Sequence, residues 1–363
     1  MNAPPKVRVM IVEDSVVVRT LLEHIIEQDP RLTLIGSAGS GEQALRMLGK
    51  VRPDVISMDI RLPGMNGLDT TRRIMSEHPT PIVVVSSAVD DEVLDISMNA
   101  LRAGALSVVE KPVGTSHADY RSIANHLCTQ LFIMSQVKVV RQRRVHAPVT
   151  LHRQESASAK TRTRIAVPNR GTHYRMLGVV ASTGGPNALA KVLGGLPDNF
   201  PLPIAVVQHI GADFLAGFAS WLDGVVPLPV SVAGHGQPTR PGHVYVAPPN
   251  AHLKVGNGCF YHGDSAPVSG QRPSGSVLFA SMAAALGPAA IGVLLTGMGD
   301  DGASGLLALR RAGGHTIAED ASTAVVFGMP GVAAEMNAVE EQRPLDEIAP
   351  AILALLDRHG GLA

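Results

Sequence analysis

Three segments of the sequence place a chemically reactive side chain directly after an apolar run. One run ends at Ser182, a second ends at His209, and a third leads into the adjacent acids Asp300 and Asp301. A serine, an imidazole and a carboxylate can supply a nucleophile, a base within hydrogen-bonding reach, and a group that fixes the tautomer of that base. If the three runs are parallel strands of one sheet, their carboxyl ends meet in one crevice. The pattern therefore predicts a serine hydrolase.

The stretch around Ser182, LGVVASTGGPN, has the character of a strand that turns sharply into a helix. Its residues 177–181 predict a strand buried on both faces, and residues 184–186 predict a tight turn into a helix starting near Asn187. Ser182 would then stand at the corner, with free N–H groups of the helix start beside its hydroxyl. Such donors stabilise the oxyanion that forms after nucleophilic attack. The alternative is a serine that caps the helix of an ordinary βα turn.

The histidine and the two acids also have simpler interpretations. The chain contains 14 histidines, so one histidine near a strand end is unremarkable. Asp300 or Asp301 could cap the helix that follows, and the sequence pattern does not choose between them. A metal site is a weaker alternative for other histidines, because they lack recurrent ligand spacing. These histidines are His235, His243, His252 and His262.

The elements that must position these side chains form a predicted α/β domain over residues 176–358. Its parallel strands are predicted at MLGVVA, IAVVQ, VYVAP and IGVLLT, with helices between them. The segments PVSVA, HLKV and CFYH predict a shorter sheet or a hairpin insertion. The fold class expected for this half is therefore a Rossmann-like parallel sheet with a small β insertion.

Residues 6–125 alternate between strand-like and helical segments through five βα units. The strands are predicted at VRVMIV, LTLIGSA, DVISMDI, PIVVVSS and ALSVVE. The helices are predicted at residues 16–27, 41–48, 68–76 and 92–103, with a last helix from about Tyr120. This alternation predicts a doubly wound, five-stranded parallel sheet with helices on both faces.

Charged and hydroxyl residues gather at the predicted carboxyl ends of those five strands. They are Glu13 and Asp14 after the first strand, Asp59 after the third, Ser86 at the end of the fourth, and Lys111 after the fifth. Three converging carboxylates repel one another unless a cation lies among them, and hard oxygen ligands suit Mg²⁺. A carboxylate beside Mg²⁺ can accept a phosphoryl group, whose oxygens Lys111 and Ser86 could bind.

Residues 126–175 predict a connector that starts helical and then becomes flexible. Ile123, Leu127, Leu131 and Met134 recur at helical spacing, so the last helix of the first domain should continue past residue 125. Residues 138–175 then contain ten Lys or Arg residues and one acid. This composition favours a solvated linker over a nucleic-acid site, because aromatic residues do not alternate with the basic ones.

The composition of the whole chain fits a globular protein of two domains. The 363 residues are 45% hydrophobic and 17% charged, with zero formal net charge. Cys128 and Cys259 are far apart and form no metal or redox motif, which predicts a reducing, cytoplasmic location. We expect neither a signal peptide nor insertion into a membrane, because the longest apolar stretch is broken by Gly287 and Pro288.

The motifs VEDS, SMDIRLPGMNGLD and VVEKP of the first domain resemble those of CheY-like response-regulator receiver domains. The resemblance implies phosphorylation of Asp59 by a histidine kinase, and switching through Ser86 and Lys111. It also implies Mg²⁺ binding by Glu13, Asp14, Asp59 and the backbone carbonyl of Arg61. Val108 stands where many receivers carry an aromatic switch residue, so this chain departs from the usual ring-flip readout.

The motifs ASTGGP, VVQHI, YVAPPNAHL, LLTGMGDDGASGL and VVFGMP of the second domain resemble the catalytic domain of the CheB protein-glutamate methylesterases. The resemblance implies that Ser182 is the nucleophile, His209 the general base, and Asp301 the acid that orients it. It also implies oxyanion donors in the backbone N–H groups of Thr183 and Met298, and no cofactor for hydrolysis. The segment PSGSVLF lacks an acid that relatives often carry two positions after the serine matching Ser274.

The two resemblances together imply a phosphorylation-activated enzyme of chemotaxis adaptation. Its substrates would be glutamate γ-methyl esters of chemoreceptors, with deamidation of specific receptor glutamines as a second activity. We expect the receiver to mask the catalytic groove until Asp59 is phosphorylated. The alternatives are a receiver-controlled esterase of a different signalling pathway and a non-catalytic module that binds receptors.

Overall fold

The computed structural model describes residues 5–86, 103, 105–112, 120–137 and 174–359. Over these residues the chain forms two parallel sheets covered by helices, together with one short antiparallel hairpin. Both sheets are built mainly from Val, Ile, Leu, Met and Ala side chains that are buried on both faces. The predicted α/β fold class is confirmed for both halves of the chain.

The first sheet has five parallel strands in the order β2-β1-β3-β4-β5. Its strands are β1 (Val7–Val12), β2 (Leu32–Ala38), β3 (Val55–Met58), β4 (Ile82–Ser86) and β5 (Ser107–Glu110). Its described helices are α1 (Val16–Gln28), α2 (Gly41–Val51), α3 (Gly67–Glu77) and α4 (Tyr120–Met134). The first three helices begin after Ser15, Ser40 and Asn66, whose side chains accept a backbone N–H three residues further on. The helix predicted at residues 92–103 lies almost wholly outside the described residues.

Helix α4 continues past residue 125, as the helical spacing predicts. Leu127, Leu131 and Met134 are fully buried in the core that α4 shares with β1, β3 and β4. The basic linker predicted after α4 lies outside the described residues.

The second sheet has seven parallel strands in the order β14-β13-β12-β6-β7-β9-β8. These strands are β6 (Met176–Ala181), β7 (Ile204–Gln208), β8 (Val230–Val232), β9 (Val244–Val246), β12 (Ala290–Leu294), β13 (His315–Glu319) and β14 (Glu341–Arg343). The strands β10 (His252–Gly256) and β11 (Cys259–Gly263) form the separate hairpin that HLKV and CFYH predict. The helices are α5 (Gly185–Gly194), α6 (Leu215–Asp223), α7 (Gly275–Leu286), α8 (Ala303–Arg311), α9 (Met329–Glu335) and α10 (Leu345–His359).

Four details of the second domain differ from the sequence prediction. Strands β13 and β14 were not predicted, because HTIAE and EQR give no continuous apolar run. The segment PVSVA does not belong to the insertion, because β8 pairs in parallel with β9 at one edge of the main sheet. Its alternating pattern is typical of a half-exposed strand, and an edge strand shares that exposure. Helix α5 begins at Gly185, two residues before the predicted start, because Pro186 is compatible with the first turn of a helix.

The strand order places the three predicted catalytic corners beside one another. The chain begins this sheet at β6 in the centre, moves outward through β7, and later returns to β12 on the other side of β6. Ser182 follows β6, His209 follows β7, and Asp301 lies in the loop after β12. Ligands of open parallel sheets bind at such a reversal of strand order, outside the carboxyl ends of the strands.

None of the described helices combines the length and the apolar character that a bilayer-spanning segment needs.

Candidate active site

The imidazole of His209 is joined to the carboxylate of Asp301. His209 Nε2 lies 2.8 Å from Asp301 Oδ2, and both side chains are almost fully buried. Asp300, by contrast, is exposed. The structure thus brings Asp301, rather than Asp300, to the histidine.

This contact determines which imidazole nitrogen is available to act as a base. Because Nε2 donates its hydrogen to the carboxylate, the lone pair of the neutral ring lies on Nδ1. Nδ1 of His209 is buried and has no hydrogen-bond partner among the described residues. A buried acceptor without a partner is costly in free energy, and a proton donor that enters the site would relieve that cost.

The Asp301 carboxylate is also tied to the start of helix α7. It accepts hydrogen bonds from Ser274 Oγ at 2.6 Å, from the Gly275 N–H at 2.6 Å and from the Ser276 N–H at 3.1 Å. Burial by itself raises the pKa of Asp301, but His209 and these donors outweigh burial and lower the pKa to about 2. Asp301 therefore remains ionised beside the histidine. Its carboxylate binds the first two N–H groups of α7, whose N-cap is Ser274, whereas the sequence left open the possibility that Asp301 caps α8.

The corner that carries Ser182 is fixed by hydrogen bonds within the turn and to the neighbouring strand end. The Ser182 N–H donates to the Thr296 carbonyl at 3.0 Å, and the Ser182 carbonyl accepts the Gly185 N–H at 2.8 Å. Gly184 has a φ of +79°, a backbone conformation that glycine adopts without strain. Ser182, Thr183, His209 and Met298 all line one cavity of about 320 Å³.

The predicted oxyanion donors lie at this cavity. The backbone N–H groups of Thr183 and Met298 donate to no other group within the described part of the chain. Met298 is 42% exposed at the rim, whereas Thr183 is 7% exposed. Neither N–H group is therefore committed to another acceptor among the described residues, which an oxyanion hole requires.

Three buried residues near the corner were not predicted as part of the site. The Thr296 hydroxyl donates to the Thr183 carbonyl at 2.9 Å, and its N–H donates to Glu319 Oε2 at 2.9 Å. Burial raises the pKa of Glu319 above its usual value. Gln208 Nε2 donates to the carbonyls of Ser182 and His209, each at 2.9 Å. Each of the three lies at or just after the end of a strand, and that position was the available sequence signal.

The predicted phosphorylation site is assembled at the carboxyl edge of the first sheet. One carboxylate oxygen from each of Glu13, Asp14 and Asp59 lies within 4.8 Å of the others. Lys111 Nζ lies 2.8 Å from Glu13 Oε2 and 3.0 Å from Asp59 Oδ2. Ser86 ends β4, is 2% exposed, and pairs through its carbonyl with the Lys111 N–H at 3.0 Å.

Burial and mutual repulsion make the charges of this cluster dependent on cations. Burial raises the pKa of Asp59 and of Glu13, and the neighbouring Asp59 charge raises that of Glu13 further. Burial also lowers the pKa of Lys111, but the two carboxylates outweigh it and raise that pKa above its usual value. Three converging hard oxygen donors, incompletely neutralised by one lysine, fit a divalent cation such as Mg²⁺.

The two domains meet directly at the cavity that contains Ser182. Strand β5 and helix α4 of the first domain line the same cavity, and Gln130 Nε2 donates to Thr183 Oγ1 at 3.1 Å. Val108 packs against the core of the second domain, while Val325 packs against the core of the first. The first domain therefore lies over the turn that carries the predicted nucleophile.

The two sites define a class of protein: a response regulator whose receiver is joined to an α/β output domain with a hydrolase-type site. Comparison with known families supports both halves. The protein-family model "Response regulator receiver domain" matches residues 9–119, and the protein-family model "CheB methylesterase" matches residues 177–352.

Relatives of known name match nearly the whole chain. It is 53% identical over 344 residues to protein-glutamate methylesterase/protein-glutamine glutaminase 2 of Paramagnetospirillum magneticum, covering 95% of this chain and 96% of that relative. It is 43% identical over 356 residues to protein-glutamate methylesterase/protein-glutamine glutaminase 4 of Myxococcus xanthus, covering 98% of each. The crystal structure of the Thermotoga maritima CheB methylesterase catalytic domain is 36% identical, with a TM-score of 0.49, and covers 50% of this chain and 98% of that one. The chain belongs to the CheB family of protein-glutamate methylesterases.

Proposed function

We propose that this protein is a phosphorylation-activated serine hydrolase of chemotaxis adaptation. It removes methyl groups from glutamate γ-methyl esters of chemoreceptors and converts specific receptor glutamines to glutamate. The observation that carries the proposal is the 2.8 Å contact between His209 and Asp301, made at the cavity that Ser182 lines. Family membership supplies the substrate class, because the relatives carry both activities in their names.

The chemistry proceeds through an acyl-enzyme. The Ser182 oxygen attacks the ester carbonyl while His209 Nδ1 takes the hydroxyl proton, and Asp301 stabilises the imidazolium that forms. Collapse of the tetrahedral intermediate breaks the carbonyl–methoxy bond, and the imidazolium returns the proton to release methanol. Water then attacks the acyl-enzyme with the same base, which yields the glutamate carboxylate and restores Ser182. A glutamine side chain follows the same course with ammonia as the leaving group.

The N–H groups of Thr183 and Met298 bind the oxyanion of the tetrahedral intermediate. Loss of one such donor typically costs on the order of 10²–10³ in rate, so the shape of this turn contributes directly to catalysis. Thr296 holds the Thr183 carbonyl and the Ser182 N–H from the neighbouring strand end.

Control by phosphorylation is assigned to the receiver cluster. Asp59 accepts the phosphoryl group from a histidine kinase, and Lys111 and Ser86 contact the phosphoryl oxygens. Glu13, Asp14, Asp59 and the Arg61 carbonyl would hold Mg²⁺, which would neutralise charge on the transferring group. In the unphosphorylated protein the receiver covers the Ser182 turn through Gln130 and Val108, and this cover excludes the receptor.

Release of methanol from methylated receptor membranes tests the proposal. The full chain should release methanol, and a small-molecule phosphodonor should accelerate the release. Ser182→Ala should abolish release while receptor binding persists, and Asp59→Asn should abolish only the acceleration. Turnover of small esters without turnover of methylated receptor would instead indicate an esterase of another pathway. A chain that binds receptor but never reacts at Ser182 would be a non-catalytic module, and the proposal would be wrong.

A further inference from the structure

The side chain of Gln208 connects the backbones of the predicted nucleophile and the predicted base. Its Nε2 donates one hydrogen bond to the Ser182 carbonyl and a second to the His209 carbonyl, each at 2.9 Å. Both hydrogens of the amide are thereby used. Gln208 is 2% exposed, so water does not compete for these bonds. We infer that Gln208 is a positioning residue that fixes the separation of Ser182 and His209.

The two carbonyls belong to corners that are otherwise joined mainly through the sheet. The Ser182 carbonyl closes its own turn by accepting the Gly185 N–H, and the His209 N–H donates to the Ala181 carbonyl at 3.1 Å. Beyond that bond the two chains diverge into the turn and the loop that lead to α5 and α6. Gln208 spans the gap at the point where the strand pairing between β6 and β7 stops.

The histidine is consequently held at two ends. Asp301 holds the imidazole through Nε2, and Gln208 holds the backbone carbonyl of the same residue. Asp301 thus restrains the orientation of the ring, and Gln208 restrains the backbone to which the ring is attached. Because Gln208 also binds the Ser182 carbonyl, one amide group fixes the distance between the backbones that carry Ser182 and His209.

The surroundings of Gln208 leave little freedom for another arrangement. A Cβ atom at Gly185 would collide with Gln208 Oε1, so the turn requires glycine where the amide passes. Methionine has a similar volume and apolar stem but no N–H group, so Gln208→Met removes both hydrogen bonds with little change in packing. A displacement of about 1 Å between reacting groups can cost on the order of 10² in rate.

The inference rests on the proposed ester hydrolysis, and the experiment separates the two. Methanol release from methylated receptor membranes would be measured for the phosphodonor-treated full chain, for Gln208→Met and for Ser182→Ala. We expect Gln208→Met to lower kcat about 10- to 100-fold with little change in KM, and to slow labelling of Ser182 by a serine-directed phosphonate to a similar degree. Gln237→Met is the matched control, because Gln237 bonds the Gly234 N–H away from the cavity and should retain the parent kcat.

The outcomes are distinguishable. A parent chain that releases no methanol would contradict the proposed function. If the parent is active and a folded Gln208→Met variant has the same kcat, only the positioning role is contradicted. If Gln208→Met does not fold, Gln208→Asn keeps the amide but withdraws it by one methylene, and it should show the same loss of kcat. Parent kcat in Gln208→Asn would overturn the inference.

Discussion

At the scale of single residues, Asp301 combines two tasks that are usually separate. Its carboxylate orients the His209 ring, and it also satisfies the N–H groups of Gly275 and Ser276 at the start of α7. A carboxylate at a helix N-terminus is stabilised in its charged form by those N–H groups and by the helix dipole. The same contacts that organise the start of the helix thus keep the Asp301 carboxylate ionised beside His209.

Neutralising Asp301 should disable the enzyme without removing the fold. Asp301→Asn keeps the size of the side chain, but its amide does not provide the charge that stabilises the His209 imidazolium. In a triad of this kind, the neutral substitution lowers kcat on the order of 10³–10⁴-fold. Asp300→Asn is the matched control, because Asp300 is the neighbouring acid but is exposed and does not contact His209. Parent kcat in Asp301→Asn, measured by methanol release, would contradict this assignment.

The lowered pKa of Asp301 also predicts how stability depends on pH. Its folded pKa of about 2 lies below the usual value of 3.8, so the ionised carboxylate stabilises the fold above about pH 4. That contribution, about 2 kcal/mol at most, should be lost as the pH falls from about 4 to 2. Fluorescence of Trp221, the single tryptophan, reports unfolding of the second domain. The stability difference between the parent and Asp301→Asn should shrink over this range, and a constant difference would refute the claim.

At the scale of elements, the site depends on three strand ends that approach more closely than ordinary side chains permit. Gly297 lies after β12, and a Cβ atom there would fall 2.7 Å from the Cβ of Ser182 and would also collide with Met329. A methyl group at this position must displace both Ser182 and the Met329 side chain, or shift the backbone of Gly297 itself. The loop after β12 therefore needs glycine because it packs directly on the Ser182 corner.

Gly297→Ala should reduce activity far more than its small size suggests. We expect kcat to fall at least about 10-fold, because displacement of Ser182 disturbs its alignment with His209. Gly194→Ala at the end of α5 is the control, since its added methyl group meets no atom within 4 Å. Equal kcat for the two variants, with both folded, would show that the contact at Gly297 is not limiting.

The sequence predicts the reactive residues of this site better than the strands and hydrogen bonds that position them. Apolar runs that end in reactive residues indicate Ser182 and His209, because parallel strands collect their ends at one edge. The residue pattern alone does not choose Asp301 over Asp300, since neighbouring acids in one loop have no periodicity that separates them; the choice came from the family resemblance, and it is Asp301 that the structure brings to His209. Strands β13 and β14 were not predicted because HTIAE and EQR lack a continuous apolar run, and β8 was assigned to the wrong sheet. The two hydrogen bonds from Gln208 to the Ser182 and His209 carbonyls depend on the direction of its side chain, which residue spacing does not predict.

At the scale of the whole molecule, the receiver contacts the catalytic corner through a buried polar bond as well as through apolar packing. Gln130 is 3% exposed and bonds the hydroxyl of Thr183, the residue that follows the proposed nucleophile Ser182. Val108, in place of an aromatic switch residue, packs toward the second domain. The receiver is therefore positioned to affect both access to Ser182 and the shape of its turn.

Removing the Gln130 bond should weaken control by phosphorylation. Gln130→Leu loses the hydrogen bond to Thr183, so the unphosphorylated chain should hydrolyse receptor ester several-fold faster and gain less from a phosphodonor. Gln136→Leu is the control near the same helix end, because the exposed Gln136 side chain bonds Ser135 and does not line the cavity that contains Ser182. Unchanged basal activity in a folded Gln130→Leu variant would show that this bond does not restrain the enzyme.

The most direct test of the account is the labelling of Ser182 by a serine-directed phosphonate. In the full chain treated with a phosphodonor, mass spectrometry should locate one adduct on Ser182. The rate of labelling should fall by orders of magnitude in His209→Ala and in Asp301→Asn, because the hydroxyl loses its base or the base loses its orientation. Labelling at another residue, or a rate that is unchanged without His209, would contradict the claim that these three strand ends form one catalytic site.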